Sequence, residues 1–201
     1  MDFIETISAL EEIYVDAPVR TSLDKVATQL TPCYRRWIEG SRFCVLATVG
    51  AGGTDASPRG DDGPVVRILD EKRLALPDWR GNNRLDSLRN IVTDGRVSLM
   101  FMVPGATNVV RVNGRARLSK DAALCESFTQ RGKHPKTVIV TEISEIYFQC
   151  AKAILRSNIW SGKDESGRVP SAGDFIAEFK SGFDAASYDA GYVSDAKPRM
   201  W

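Results

Sequence analysis

Along residues 1–40 apolar positions recur at helical spacing. Ile4, Ile7, Leu10 and Ile13 predict a helix over 2–14, which Ala17-Pro18 breaks. Leu23, Val26 and Leu30 predict a second helix over 22–29. Tyr34, Trp37 and Ile38, between Thr31-Pro32 and Gly40, predict a third. The period then drops to that of a strand. Residues 42–49 read as a strand, the glycines of 50–53 as a turn, and 54–59 as a returning strand that 60–64 interrupts. Residues 65–69, 74–76, 97–103, 109–118 and 138–148 continue the series. The 109–118 strand is the most regular, with Val110, Val112, Ala116 and Leu118 on one face and Arg111, Asn113, Arg115 and Arg117 on the other. Helices are predicted over 83–92, over 120–130 after Ser119 as cap, over 150–155, and after Ser171 as far as Gly182. The tail to Trp201 shows no period.

Short strands joined by tight turns, with few long crossovers, indicate an antiparallel barrel or sandwich. The reading is a mainly β fold with peripheral helices. Residues 1–40 form a helical lead-in packed on a barrel of 41–160, and 161–201 supply a loop, helix and tail of the same domain.

Composition narrows the classes. The 27 basic and 26 acidic side chains leave a net charge of +1, which argues against a dedicated nucleic-acid binder. Apolar runs are too short to span a bilayer. The acidic, helically spaced N-terminus is unlike a signal segment, so a cytoplasmic location is the expectation. The four cysteines, Cys33, Cys44, Cys125 and Cys150, form no CxxC pair and read as reduced thiols, not a metal site. The single histidine, His134, excludes any mechanism needing two. Residues 50–55 lack the third glycine of a dinucleotide fingerprint and lead into a strand, not a helix. No phosphate loop and no nucleophile elbow occur. Asp61-Asp62 reads as a solvated pair.

The stretch with most chemistry is 74–92, LALPDWRGNNRLDSLRNIV. Pro77-Asp78 stops a strand, and Asn82-Asn83-Arg84 opens an amphipathic helix. An asparagine cap, free first-turn amides and Arg84 together make a candidate phosphate seat. An ordinary strand–turn–helix junction with a solvated arginine fits the same residues. The arginine face of 109–118 likewise reads as an anion surface or as a plain solvent face.

Three stretches in order, FCVLATVGAGGTDASPRGD, LALPDWRGNNRLDSLRNIVTDGRVSLMFMVPG and VVRVNGRARL, resemble the pyridoxamine 5′-phosphate oxidase-like (PPOX-class) family of FMN-binding split barrels. The resemblance covers roughly residues 35–160 and is nearest to an FMN-dependent subgroup distinct from the oxidase itself. It implies an antiparallel Greek-key split barrel and a homodimer with FMN at the interface. It also implies a phosphate-binding turn that falls on Pro77, Asp78, Asn82, Asn83 and Arg84. Where this chain has Asp78, Asn82, Asn83 and Arg84 the oxidase has Thr, Ser, Arg and Lys. The turn is therefore less basic here, and Arg59 and Arg67 are the candidates to compensate, since guanidinium groups hold phosphate in a bidentate way. Arg111 falls near the family's flavin edge contacts, and Arg156 and Trp160 are candidates for groups that a partner subunit contributes. The oxidase's substrate-binding histidine and arginine motif is not visible, so pyridoxamine phosphate oxidation does not carry over. The implied activity is FMN-dependent hydride transfer with a small-molecule substrate. A non-catalytic flavin- or haem-binding module, FAD or coenzyme F420 as cofactor, and a nucleic-acid-binding barrel remain alternatives.

Overall fold

Alternation decides the first hairpin. In β1 (Phe43–Gly50) Cys44, Leu46 and Thr48 are buried between more exposed neighbours. The chain reverses and returns as β2 (Gly53–Gly60), with Gly50 opposite Gly53. Gly53 has φ +118°, which the turn requires and a side chain would resist. The computed structural model describes residues 1–150 and 152–201. β3 (Arg67–Ile68) and β4 (Arg73–Pro77) make a second hairpin, and α4 (Asp86–Thr93) crosses to β5 (Arg96–Met102). The long strands β6 (Asn108–Ser119) and β7 (Val138–Cys150) follow. The strand order is β2-β1-β5-β6-β7-β4-β3 with every pair antiparallel. β2 and β3 are its two edges, so the expected barrel is split and not closed.

The β6–β7 pair bends at a register shift between Asn113 and Gly114. A Cβ on Gly114 would overlap the carbonyl of Glu142, so only glycine allows this bulge. Inside the sheet, Leu46, Leu99, Phe101, Val112, Ile139 and Ile146 are fully buried. Each such side chain stabilises the fold by roughly 1.5–3 kcal/mol through burial. Ile38 of α3 (Pro32–Glu39) and Ile91 of α4 join the same core.

The lead-in differs from expectation. α1 spans only Ile7–Ile13, capped by Thr6, and α2 spans Arg20–Asp24. The second helix stops early because Ala27 pairs with Ile146 as an isolated antiparallel bridge and Leu30 donates to the Glu71 carbonyl. Tertiary hydrogen bonds thus override helical spacing. α5 covers only Ala122–Glu126, capped by Asp121 and not by Ser119. The expected 65–69 strand shrinks to β3, although Val65 and Val66 are buried. α6 (Lys152–Ser157) and α7 (Ala172–Phe179) follow, the latter with a Ser171–Asp174 capping box. The tail without a period forms α8 (Ala185–Ala196), which Asp184 caps, and ends in a 3-10 turn at Lys197–Arg199. No helix among the described residues is long and apolar enough to cross a membrane.

Candidate functional site

β2 is an edge strand whose half-buried face is polar. Asp55, Ser57 and Arg59 alternate with exposed Ala56, Pro58 and Gly60. A strand that only covered a core would carry apolar residues at those positions. Beside them β4 ends at Pro77, and the Asp78 amide donates to the Thr137 carbonyl at 3.0 Å. The Asp78 carboxylate accepts from Arg59 Nη1 at 2.8 Å, with both side chains less than a fifth exposed. Asp78, the acid that makes the turn less basic than the oxidase's, is therefore neutralised by the arginine expected to compensate for it. Nε of Arg59 is buried and has no hydrogen-bond partner among the described residues.

The turn after Trp79 is not a capped helix start. Asn82 Oδ1 accepts from the Arg84 amide, closing a local turn. Asn83 and Leu85 have φ of +67° and +61°, which break helical continuity, so α4 begins only at Asp86. The expected Asn82 cap is thus displaced, and the cap position holds Leu85, whose side chain cannot accept. A left-handed leucine costs roughly 1–2 kcal/mol, and such strain gathers at ligand sites. The first-turn amides of α4 receive no side-chain cap. Within that turn Ser87 Oγ donates to Asp55 of β2, and Arg84 Nε donates to Asp86 at 2.8 Å.

These groups line one cleft of about 950 Å³, within the range of small-molecule sites. Arg59, Pro77, Asp78, Asn82, Asn83 and Arg84 all lie in it. Arg67, Arg111, Arg156 and Trp160 do not line it. Arg67 donates to the hydroxyl and carbonyl of Ser127 and stacks 4.0 Å from the Phe128 ring. Arg111 reaches Gln149 and lies over Tyr147, and Trp160 Nε1 donates to the Ala106 carbonyl. Arg156 sits in the last turn of α6.

The structure adds Asp55, Ser57, Trp79, Arg80 and Ser87 to the cleft, together with Tyr192, Arg199 and Met200 from the C-terminal segment. The polar alternation of β2 could have disclosed the first two. Nothing in the local pattern pointed to the C-terminal residues. His134 lies elsewhere, its Nδ1 bonded to the Phe128 carbonyl at 2.7 Å. Cys44, opposite Arg59 in the β1–β2 register, is buried, which pushes its thiol up to about 12 despite the guanidinium beside it. It is no nucleophile at neutral pH. Among the described residues no group of three His, Cys, Asp or Glu side chains could hold a metal ion.

The family model described as pyridoxamine 5′-phosphate oxidase matches residues 30–150. Comparison with curated proteins finds no match. Among solved structures, HupZ of Group A Streptococcus is similar at 20% identity and TM-score 0.49, covering 61% of this chain and 95% of its own. A putative pyridoxamine 5′-phosphate oxidase of Lactobacillus delbrueckii is similar at 23% identity and TM-score 0.47, covering 60% and 95%. An FMN-binding protein of Syntrophomonas wolfei is similar at 12% identity and TM-score 0.44, covering 71% and 95%. The model match spans both cleft-forming strands, the turn after β4 and all of α4, and on that match the chain belongs to the pyridoxamine 5′-phosphate oxidase-like family.

Proposed function

We propose that the cleft holds the phosphate end of FMN and that the protein is a cytoplasmic, homodimeric FMN-dependent oxidoreductase with a small-molecule substrate. The observation that carries this reading is the partnerless, buried Nε of Arg59 in the same cleft as the uncapped first turn of α4. A buried donor left unsatisfied costs about 1–3 kcal/mol, which a phosphate oxygen would relieve. Helix amides and a guanidinium are the usual donors to such a group. Asn82, Asn83 and Arg84 supply further polar groups, and the Asp78 carboxylate is already paired. The residues present therefore fit FMN.

Bound FMN would supply the two-electron redox chemistry. The chain's part is to bind, orient and shield. Arg59 and the α4 amides fix the phosphate, and Ser87, tied to Asp55, holds the first turn of α4 against β2. We assign Arg111 to the flavin edge, and Arg156 and Trp160 to the site of the second copy. Arg67 instead braces the loop that begins at Ser127. The dimer is supported by apolar side chains that a single chain leaves uncovered, among them Ile7, Ile13, Leu155, Ile159 and Phe179.

An absorption spectrum and an FMN titration of the purified chain test the reading. A flavin spectrum, or binding of added FMN with quenched fluorescence, is expected. A colourless protein that binds no FMN overturns it, and FAD, coenzyme F420 and haem are then titrated in turn.

One observation favours a second reading, a flavin-binding module without turnover. Among the described residues no His, Cys, Lys or Glu lines the cleft, and its aspartates are engaged, Asp55 by Ser87, Asp78 by Arg59 and Asp86 by Arg84, so few free acid–base groups remain. Reduction of bound FMN by NADPH or NADH in a stopped-flow spectrometer supports the enzyme. No reduction by either donor supports the module.

A further inference from the structure

The C-terminal segment lies outside residues 30–150 that the family model matches, yet it forms part of the cleft wall. Tyr192 of α8, with Arg199 and Met200 after it, lines the same cleft as Arg59 and Asn83. α8 reaches this position by specific fixings and not by a buried apolar stripe. The Gly173 amide of α7 donates to Asp189 at 2.9 Å, and a Cβ on Gly173 would overlap the Ala185 carbonyl. Only glycine lets the two helices pack so closely. From Phe183, just before α8, the rings of Phe183, Tyr188 and Tyr192 follow one another at 5.4 and 5.9 Å, and the last of them lines the cleft.

Beyond α8 the chain is clamped to a tight turn. Lys133 Nζ donates to the Pro198 carbonyl at 3.0 Å, and the Arg131 guanidinium lies 4.6 Å from the Trp201 ring. That turn adjoins the cleft's other wall. Asp61 accepts from Gln130 Nε2 at 2.8 Å and from Nε1 of the cleft residue Trp79 at 2.7 Å. One carboxylate therefore ties the turn that grips the C-terminus to the wall that follows β4. Arg199 gives its Nε to the Asp195 carbonyl and makes no ion pair among the described residues. Arg59 and Arg84, by contrast, are each paired with an aspartate. The cleft thus receives from the C-terminus an aromatic ring, a thioether and a cation not committed to a carboxylate.

We propose that the C-terminal segment is a ligand-contacting wall of the FMN site, with Tyr192 and Arg199 touching the bound cofactor and the 131–133 turn holding them there. This rests on the FMN reading above. The wall governs how fast the cofactor leaves more than how fast it arrives, because contacts made only in the bound state act on dissociation.

The test uses the whole chain of 201 residues and two variants, Lys133→Met with Trp201→Ala to release the clamp, and Tyr192→Ala to remove the ring alone. Each is loaded with FMN and diluted, and release is followed by the recovery of flavin fluorescence. Both variants are expected to release FMN at least tenfold faster than the parent, with association rates within about twofold. Unchanged release from folded variants overturns the inference and leaves the FMN reading standing. Parent protein that binds no FMN removes the FMN reading, and this inference with it. Should the clamp variant fail to fold, Tyr192→Ala decides by the same criterion.

Discussion

The sheet and the terminal arms are built from the same kinds of residue but solve the burial problem differently. In the sheet, apolar side chains alternate inward and meet one another, so Phe101, Leu99 and Val112 are fully buried in a single chain. In the arms, helical spacing makes apolar faces that little else covers. Ile7 and Ile13 of α1 are 71% and 59% exposed, and Phe179 of α7 is 90% exposed. Among the described residues no large apolar side chain after Ile146 is buried. The sheet therefore carries the stability of the isolated chain. The arms leave apolar faces uncovered and place Tyr192, Arg199 and Met200 at the cleft.

That contrast can be broken most decisively by paired core and arm mutations. Phe101→Ala should cost about 3–5 kcal/mol in urea unfolding, since it leaves a cavity in a closed core. Phe179→Ala should change stability at low protein concentration by no more than about 0.5 kcal/mol. Equal costs would show that the arms are part of the folding core. A smaller loss, about 1–3 kcal/mol, is expected for Gly114→Ala, which overfills the bulge against Glu142. Its readout is the same unfolding curve.

The cleft sharpens the comparison within the sheet itself, because the inward face of β2 is polar where that of β5 is apolar. Arg59→Ala should weaken FMN binding by at least tenfold, on the order of 1.4 kcal/mol, and by more than Arg84→Ala. The reason is burial. The Arg59 side chain is 18% exposed and Arg84 is 78% exposed, so water screens the second far more. Fluorescence titration ranks the two, and a larger loss at Arg84 would move the phosphate toward the turn.

The smallest effect concerns thiols. A chromogenic disulfide reagent should reach Cys33 and Cys150 in the folded chain, and Cys44 and Cys125 only after unfolding. Burial raises the Cys44 pKa from 9.0 to about 12. Folding therefore favours the neutral thiol, so its stabilising contribution is fully present below pH 9 and is lost as pH rises toward 12. Alkylation of Cys44 near pH 8 at the rate of an exposed thiol would contradict this.

Strand alternation and turn glycines were sufficient to place β1, β2, β5, β6 and β7 within a residue or two, because each local signal there agrees with the final packing. The order of three stretches also carried the family, which the family model matching residues 30–150 bears out. Local pattern failed where a distant partner decides. Ala27 looked helical but pairs with Ile146, and Asn82 looked like a cap until Asn83 and Leu85 took left-handed angles. The ion pair between Arg59 and Asp78 joins β2 to the turn just after β4, strands far apart in the sheet order, and no linear spacing encodes it.

The strand–turn–helix at 74–92 illustrates the division. Sequence alone determined its residue types, its proline stop and its place before a long apolar strand. The tertiary structure decided that Asp78 is neutralised, that the α4 amides stay uncapped, and that Tyr192 and Arg199 from an aperiodic tail close on the same cleft. Periodicity reports which face of an element is buried. It cannot report which distant element does the burying, because that depends on contacts between residues that the chain brings together only after it folds.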